Sequence, residues 1–381
     1  MTPLDTVSLL QRLVALDSTN PGGDEAAVAG VLAEVLADAG AEVEVIPYAE
    51  GHVNLVAELR FGPGPRVMLN SHLDVVPAGA GWSANAFAPE VREGRVYGRG
   101  SADAKGSLAA MAGAVVDIVA AGEVTRGTVV FTAVGDEEVG STGARALVEN
   151  LEVDACIVGE PTGVQLLAAH KGSLRPVIEV IGRGAHAAAP HNGVNAISGA
   201  ADLLDRLARH ADMLGDRLHP LTGAPTLTPV LIEGGQAPNA VPERCLITVD
   251  RRMVPGETAE QVRAEFERIL DDFSRDNAPL TARIAALAPS TGGPSETPAD
   301  DPFVLACRLG LSAIGEADDI GGLVVNCDMT TFRGAGIPTV VLGPGELGVM
   351  HAADEYVPID QLERARRAYR AMVERALREL P

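Results

Sequence analysis

His72 and Asp74 stand two residues apart at the end of a short apolar run, Val67-Met68-Leu69, in the stretch Arg-Val-Met-Leu-Asn-Ser-His-Leu-Asp. Residues i and i+2 of an extended chain share a face, so imidazole and carboxylate can lie side by side. A metal-bound histidine usually has such an acceptor behind it, which fixes its tautomer and raises its basicity. One His-X-Asp pair more often merely finishes a strand. Three further apolar runs end in the same way. Val129–Val134 leads into Gly135-Asp136-Glu137-Glu138, Ala155–Val158 leads into Gly159-Glu160, and Ile337–Leu342 precedes a Gly-Pro-Gly turn and then His351. Asp103 lies in a glycine-rich loop, Gly98 to Gly106, ahead of an apolar helical stretch. Alone it reads as a helix N-cap. The glycines around it match neither a phosphate loop nor a dinucleotide fingerprint.

Two histidines with several carboxylates and no cysteine make a nitrogen and oxygen donor set. Such a set suits zinc, with cobalt or manganese as substitutes. One ion needs only three protein ligands. The set His72, Asp103, Glu138, Glu160 and His351 is better explained by two ions sharing one carboxylate. Two ions about 3.5–4 Å apart can ionise a water and polarise a carbonyl at once. Neighbouring Glu137 and Glu138 point apart in extended chain, so one can ligate while the other acts as general base. Spacing alone does not say which.

Such side chains need a rigid frame. The short apolar runs, bounded by glycine and proline turns, read as parallel strands buried on both faces. Helices are expected at 4–16, 25–39, 105–121 and 141–150, and strands at 41–47, 52–61, 66–70, 129–134, 155–158 and 337–342. A hairpin is expected around Glu93-Gly94. Strands alternating with helices give an α/β domain with a mostly parallel sheet sandwiched by helices, and ligands bind beyond the carboxyl ends of such strands. Between 174 and 288 the pattern changes to strand, helix, strand, strand, helix, strand, the order of a ferredoxin-like α+β unit. Residues 244–252 alternate as in a half-buried antiparallel strand. The expected organisation is a first catalytic part over 1–173, an inserted domain over 174–288, and a second catalytic part over 289–381.

The formal net charge of −22 argues against nucleic acid and anionic membranes as partners. No stretch approaches the roughly 18 consecutive apolar residues of a membrane span, and the N-terminal residues recur at helical spacing rather than forming a leader. A cytoplasmic location is expected. Cys156, Cys245, Cys307 and Cys327 sit among apolar residues without paired spacing, which reads as buried free thiols.

Five ordered motifs carry a family resemblance. They are Ser-His-Leu-Asp-Val-Val-Pro (71–77), Tyr-Gly-Arg-Gly-Ser-Ala-Asp-Ala-Lys-Gly (97–106), Gly-Asp-Glu-Glu-Val-Gly-Ser (135–141), Gly-Glu-Pro-Thr (159–162) and His-Ala-Ala-Asp-Glu-Tyr-Val (351–357). The chain resembles, over nearly its whole length, the dinuclear zinc family of aminoacylase, acetylornithine deacetylase, succinyl-diaminopimelate desuccinylase and glutamate-releasing carboxypeptidase. The resemblance implies two zinc ions per subunit, with Asp103 bridging them. His72 and Glu160 would complete one site, and Glu138 and His351 the other. It further implies Glu137 as general base, Asp74 as the residue orienting His72, and a cis peptide after Asp103.

In the inserted domain, Gly184-Ala185-His186, Asn192 to Ile197, Pro238 to Pro242 and Asp250-Arg251-Arg252 match the family's lid motifs. The resemblance implies a homodimer formed through this domain. His186 would then reach the partner subunit's active site to steady the oxyanion, and Asn239 and Arg252 would contact the substrate, often its carboxylate. Ala104, Met350 and Arg175-Pro176 depart from the usual pattern without removing a ligand. The implied activity is hydrolysis of the amide bond of N-acylated amino acids, small molecules with a free carboxylate. The alternatives are an exopeptidase or dipeptidase using the same site, and an inactive dimeric binding protein.

Overall fold

The computed structural model describes residues 4–381. These form two compact units, one from residues up to Ala169 with Glu296–Leu323 and Cys327–Pro381, the other from His170–Ser295 and Val324–Asn326.

The first unit is built on a nine-stranded sheet. Four strands at its middle run parallel in the order Gly127–Val134, Arg66–His72, Ala155–Val158 and Thr339–Val341. All eight residues of Gly127–Val134 and all four of Ala155–Val158 are buried. Helices cover both faces, so these strands need no polar side, and that is why they read as unbroken apolar runs. Antiparallel strands flank this block. Glu42–Ala49 and His52–Gly62 lie beyond Gly127–Val134, and Leu166–His170 lies beyond Thr339–Val341. The register sets His72 opposite Val134, and Asn70 opposite Val158. Three neighbouring strands therefore end at nearly the same level, and the loops carrying His72, Glu137, Glu138 and Glu160 leave side by side.

The helix Lys105–Ala121 is rich in Gly and Ala and buried on almost every side. Small side chains let its backbone approach both the sheet and the C-terminal helix Ile359–Glu379. Arg366 ties these parts together: its guanidinium forks onto Asp117 and also donates to Leu4 O and Thr6 Oγ1. Gly310, in the helix Pro302–Ala313, marks another close crossing. A Cβ there would lie 2.7 Å from Ala371 O. The atoms it would meet, from Ala371 and Met372, are helix backbone, so Gly310→Ala is expected to cost about 1–3 kcal/mol of stability, read as a lowered thermal midpoint.

The second unit follows the expected β-α-β-β-α-β order. Its strands are Pro176–Ile181, Thr226–Gly234, Arg244–Met253 and Thr281–Leu287, with Gly172–Leu174 added against the end of Arg244–Met253. Every pairing in this sheet is antiparallel. Two helices, Ala196–Leu214 and Ala259–Asp276, lend Leu203, Leu207, Phe266, Leu270 and Phe273 to a core with Ile178, Val180, Ile247 and Val249. Thr258 and Gln261 form a capping box at the start of the second helix. Along Arg244–Met253 alternate residues are buried, as the sequence alternation predicts. All four cysteines are buried free thiols.

Candidate metal centre

Seven of the expected residues, His72, Asp74, Asp103, Glu137, Glu138, Glu160 and His351, gather beyond the carboxyl ends of the parallel strands. His72 Nε2 lies 3.1 Å from Asp103 Oδ1, and His351 Nε2 lies 3.2 Å from Asp103 Oδ2. Each carboxylate oxygen of Asp103 thus faces a different histidine. His351 Nε2 is also 3.1 Å from Glu138 Oε2. Two groups of candidate ligands follow, His72–Asp103–Glu160 and Asp103–Glu138–His351, with the ligand atoms of each within 4.8 Å of one another. Asp103 belongs to both, and Glu137 belongs to neither. The peptide after Asp103 is cis, and Ala104 rather than Asp103 holds the N-cap position of the helix that follows.

His72, Asp103, Glu137 and Glu160 are almost entirely buried, whereas the His351 side chain is half exposed. Burial, reinforced by nearby Glu160, pushes the Glu137 carboxyl well above the ordinary range. Burial and Asp103 do the same to Glu160. Hydrogen bonds to Asp103 and Glu138 push the His351 imidazole up to about 10. Glu138 Oε1 and Glu160 Oε1 are buried without a hydrogen-bond donor. Unpaired carboxylate oxygens in a buried, acid-rich cluster are costly unless cations balance them. Two imidazoles and shared carboxylates are the donor set that suits zinc-type ions, so the residues fit a pair of them.

Hydrogen bonds also hold the layer behind the candidate ligands. His72 Nδ1 hydrogen-bonds the main-chain carbonyl of Asp74 at 2.9 Å, while the Asp74 carboxylate stands 3.7 Å away. That carboxylate accepts the backbone N–H groups of Glu137 and Glu138, at 3.0 and 3.2 Å. It thereby fixes the main chain of the acidic pair. Asn20 Nδ2 donates both to Asp74 Oδ2 (3.0 Å) and to Asp136 Oδ1 (2.8 Å). Asp136, at φ 61°, also accepts from Thr142 Oγ1. Asp328 is a further buried carboxylate here, hydrogen-bonded to Asn70 and pushed up to about 6 by burial.

Sequence reasoning passed over Asn20, Asp136 and Asp328. Asn20 sits in a Ser-Thr-Asn-Pro-Gly-Gly segment that reads only as a turn. Replacing it with Asp would set a third carboxylate against Asp74 and Asp136 in place of a double donor. Asn20→Asp is expected to cost about 3 kcal/mol of stability and to reduce turnover through the displaced Glu137 loop. Thermal denaturation and steady-state kinetics check both.

The remaining three expected residues lie in the second unit. His186 is exposed on the two-residue strand Ala185–His186, paired with Ala240–Val241. Ala187 N–H donates to Asn239 O, so His186 and Asn239 share one ribbon. Arg252 forks onto Asp250, with Nε to Oδ1 at 2.7 Å and Nη2 to Oδ2 at 3.3 Å, and reaches Asn326 Oδ1.

A mostly parallel sheet beyond whose strand ends two candidate ligand triads share one aspartate fits a hydrolase with places for two metal ions. The chain belongs to Peptidase family M20/M25/M40, whose model matches residues 68–375. It is 31% identical to acetylornithine deacetylase of Proteus mirabilis over 97% of this chain and 96% of that protein. It is 32% identical to acetylornithine deacetylase of Salmonella heidelberg over 92% and 90%. Among solved structures it is similar to a tripeptidase from Staphylococcus aureus, with a TM-score of 0.82, 22% identity and 98% of each chain covered. A dinuclear metal binding peptidase of the M20 family from Bacillus subtilis superposes with a TM-score of 0.75 at 14% identity, over 98% of each chain. The protein is a hydrolase of amide or peptide bonds, from a family that binds two metal ions.

Proposed function

We propose that this chain is a zinc-dependent amidohydrolase that removes the acyl group of N-acylated amino acids. The observation that carries the reading is the pair of ligand triads joined at Asp103, with Glu137 beside them and in neither. His72, Asp103 and Glu160 would hold one ion, and Asp103, Glu138 and His351 the other. When bound, such a pair supplies a nucleophile at neutral pH by acidifying water and polarises the scissile carbonyl.

Glu137 acts as general base and then general acid: it takes a proton from the attacking water and returns it to the departing amine. Burial raises the proton affinity of this carboxyl, the direction that helps it hold the proton between the two transfers. Asp74 keeps Glu137 in place through the backbone N–H. His186 Nδ1 accepts the N–H of Ala188, which in the neutral ring leaves the proton on Nε2. His186 is therefore set up as a donor, the role that stabilises an oxyanion. Asn239 and Arg252 serve the substrate carboxylate, for which the Arg252 fork would exchange Asp250.

A homodimer through the second unit is part of the reading, and it is what would bring His186 to a neighbouring site. The edge strand Thr226–Gly234 exposes Val230, Leu231 and Ile232 at 51, 61 and 54%. An apolar sheet edge of this kind is a template for pairing with a second copy. Light scattering on purified protein measures the mass directly. Among the described residues no helix is long and apolar enough to cross a membrane, and four free thiols suit the reducing cytoplasm.

The relatives at 31 and 32% identity are named as deacetylases, which favours acyl removal. An exopeptidase or dipeptidase is the second reading, favoured by the fit to the tripeptidase structure. A panel of N-acetyl and N-succinyl amino acids against di- and tripeptides separates them by kcat/KM. Higher values for the peptides would overturn the deacylase reading. An inactive dimeric binding protein, the third reading, predicts no turnover on any member of the panel.

A further inference from the structure

Arg99 and Glu355 form an ion pair in the first unit that is 1% and 0% exposed. Burying two opposite charges seldom adds stability over apolar side chains of the same size, so the pair calls for another reason. Its remaining side-chain hydrogen bonds all go to main chain. Glu355 Oε1 accepts the backbone N–H groups of Ala102 (2.9 Å) and Asp103 (3.0 Å). Its Oε2 meets Arg99 Nη1. Arg99 Nη2 in turn donates to Ala352 O (3.3 Å), the residue next to His351, and to Ala78 O (3.4 Å). The guanidinium also lies 5.2 Å from the centre of the Trp82 ring.

One end of the pair grips the backbone of Asp103, and the other grips the backbone beside His351. His351 itself sits at φ 58°, a conformation that a side-chain-bearing residue keeps only where its surroundings enforce it. His72 and Glu160, by contrast, stand at or just beyond strand ends whose pairing already fixes them. The half of the cluster that includes His351 lacks that support and needs another.

We propose that Arg99 and Glu355 are positioning residues for the ion site made by Asp103, Glu138 and His351, setting the distance between the Asp103 and His351 main chains. The proposal rests on the two-ion reading of the cluster. Its signature is asymmetry: weakening the pair loosens one ion and spares the one held by His72, Asp103 and Glu160. Arg99→Lys keeps the charge but loses the fork that reaches Ala352 O. Glu355→Gln keeps an acceptor for the two N–H groups but turns an amide N–H against the guanidinium. Both are expected to weaken a single zinc constant by about 10–100-fold, the usual effect of removing a partner behind a ligand.

The experiment is competition between a chromophoric chelator and the metal-stripped full-length chain, with zinc as probe and circular dichroism as the folding control. The parent should give two zinc constants, and each variant one unchanged and one weakened. In kinetics, kcat of the variants should recover as zinc is raised, with KM unmoved. Two parental constants in both variants would overturn the proposal and leave the two-ion reading intact. A parent that binds fewer than two zinc ions would remove that reading and the proposal with it. The double variant Arg99→Met, Glu355→Leu keeps buried volume without charge and covers the case in which single variants do not fold. Normal zinc constants in it, or failure of all three to fold, would assign the pair to folding alone.

Discussion

Replacing Glu137 with Gln is expected to lower kcat by about 10³-fold while both metal ions stay bound. Gln has the size of Glu but cannot take up a proton at neutral pH. The backbone N–H of residue 137 still reaches Asp74 Oδ1, so the loop has no reason to move. Neither ligand triad contains Glu137, so removing its charge takes no ligand away. Glu138→Gln, one residue on, is the instructive contrast. It weakens the triad with Asp103 and His351, so its loss of turnover should come with loss of metal. Elemental analysis together with steady-state kinetics on the two variants separates base from ligand. A Glu137→Gln enzyme with near-normal kcat would take the proton transfer away from this residue.

Much of this site could be read before any coordinates, and the reason is physical. Strands buried on both faces appear as uninterrupted apolar runs, so Val129–Val134 and Ala155–Val158 announced themselves, and the polar residues after them stood out. Alternation did the same for Arg244–Met253, where one face is packed and the other is not. Less was legible where a side chain's partner is far away in sequence. Asn20 meets Asp74 and Asp136 across 54 and 116 residues, and Glu355 meets Asp103 across 252. Nothing in a Thr-Asn-Pro turn distinguishes a double donor to two carboxylates from an ordinary loop asparagine. The strand Leu166–His170 is not among the expected strands, because its buried Leu-Leu-Ala-Ala run is too short and too alanine-rich to tell from a helical turn by pattern alone.

The carboxylate of Asp74 shows a subtler limit. Two-residue spacing correctly placed it near the His72 ring, but spacing cannot say which oxygen the ring will use. The main-chain carbonyl takes that hydrogen bond, and the carboxylate is left to hold the Glu137-Glu138 backbone. Asp103 is similar. Its position before a helix suggested a cap. The structure gives that position to Ala104 and turns both Asp103 oxygens toward histidines.

That arrangement of Asp103 leads to the second large effect, on stability as well as on turnover. An ion that binds only the folded chain stabilises it by RT ln(1 + [L]/Kd), about 2.7 kcal/mol per site at one hundred times Kd. For a unit of this size each kcal/mol moves the thermal midpoint by roughly 2–4 °C. Zinc added to the metal-stripped parent should therefore raise the midpoint by roughly 5–10 °C per ion. Asp103→Ala removes the one carboxylate common to both triads, so the zinc-dependent rise should vanish along with zinc-dependent turnover. Glu160→Ala touches only one triad and should keep about half of the rise, because Asp103, Glu138 and His351 remain. Differential scanning fluorimetry across a zinc series measures all three proteins side by side. If Asp103→Ala kept the full rise, the shared-ligand assignment would fail, since each triad would then hold its ion without the oxygen that faces its histidine.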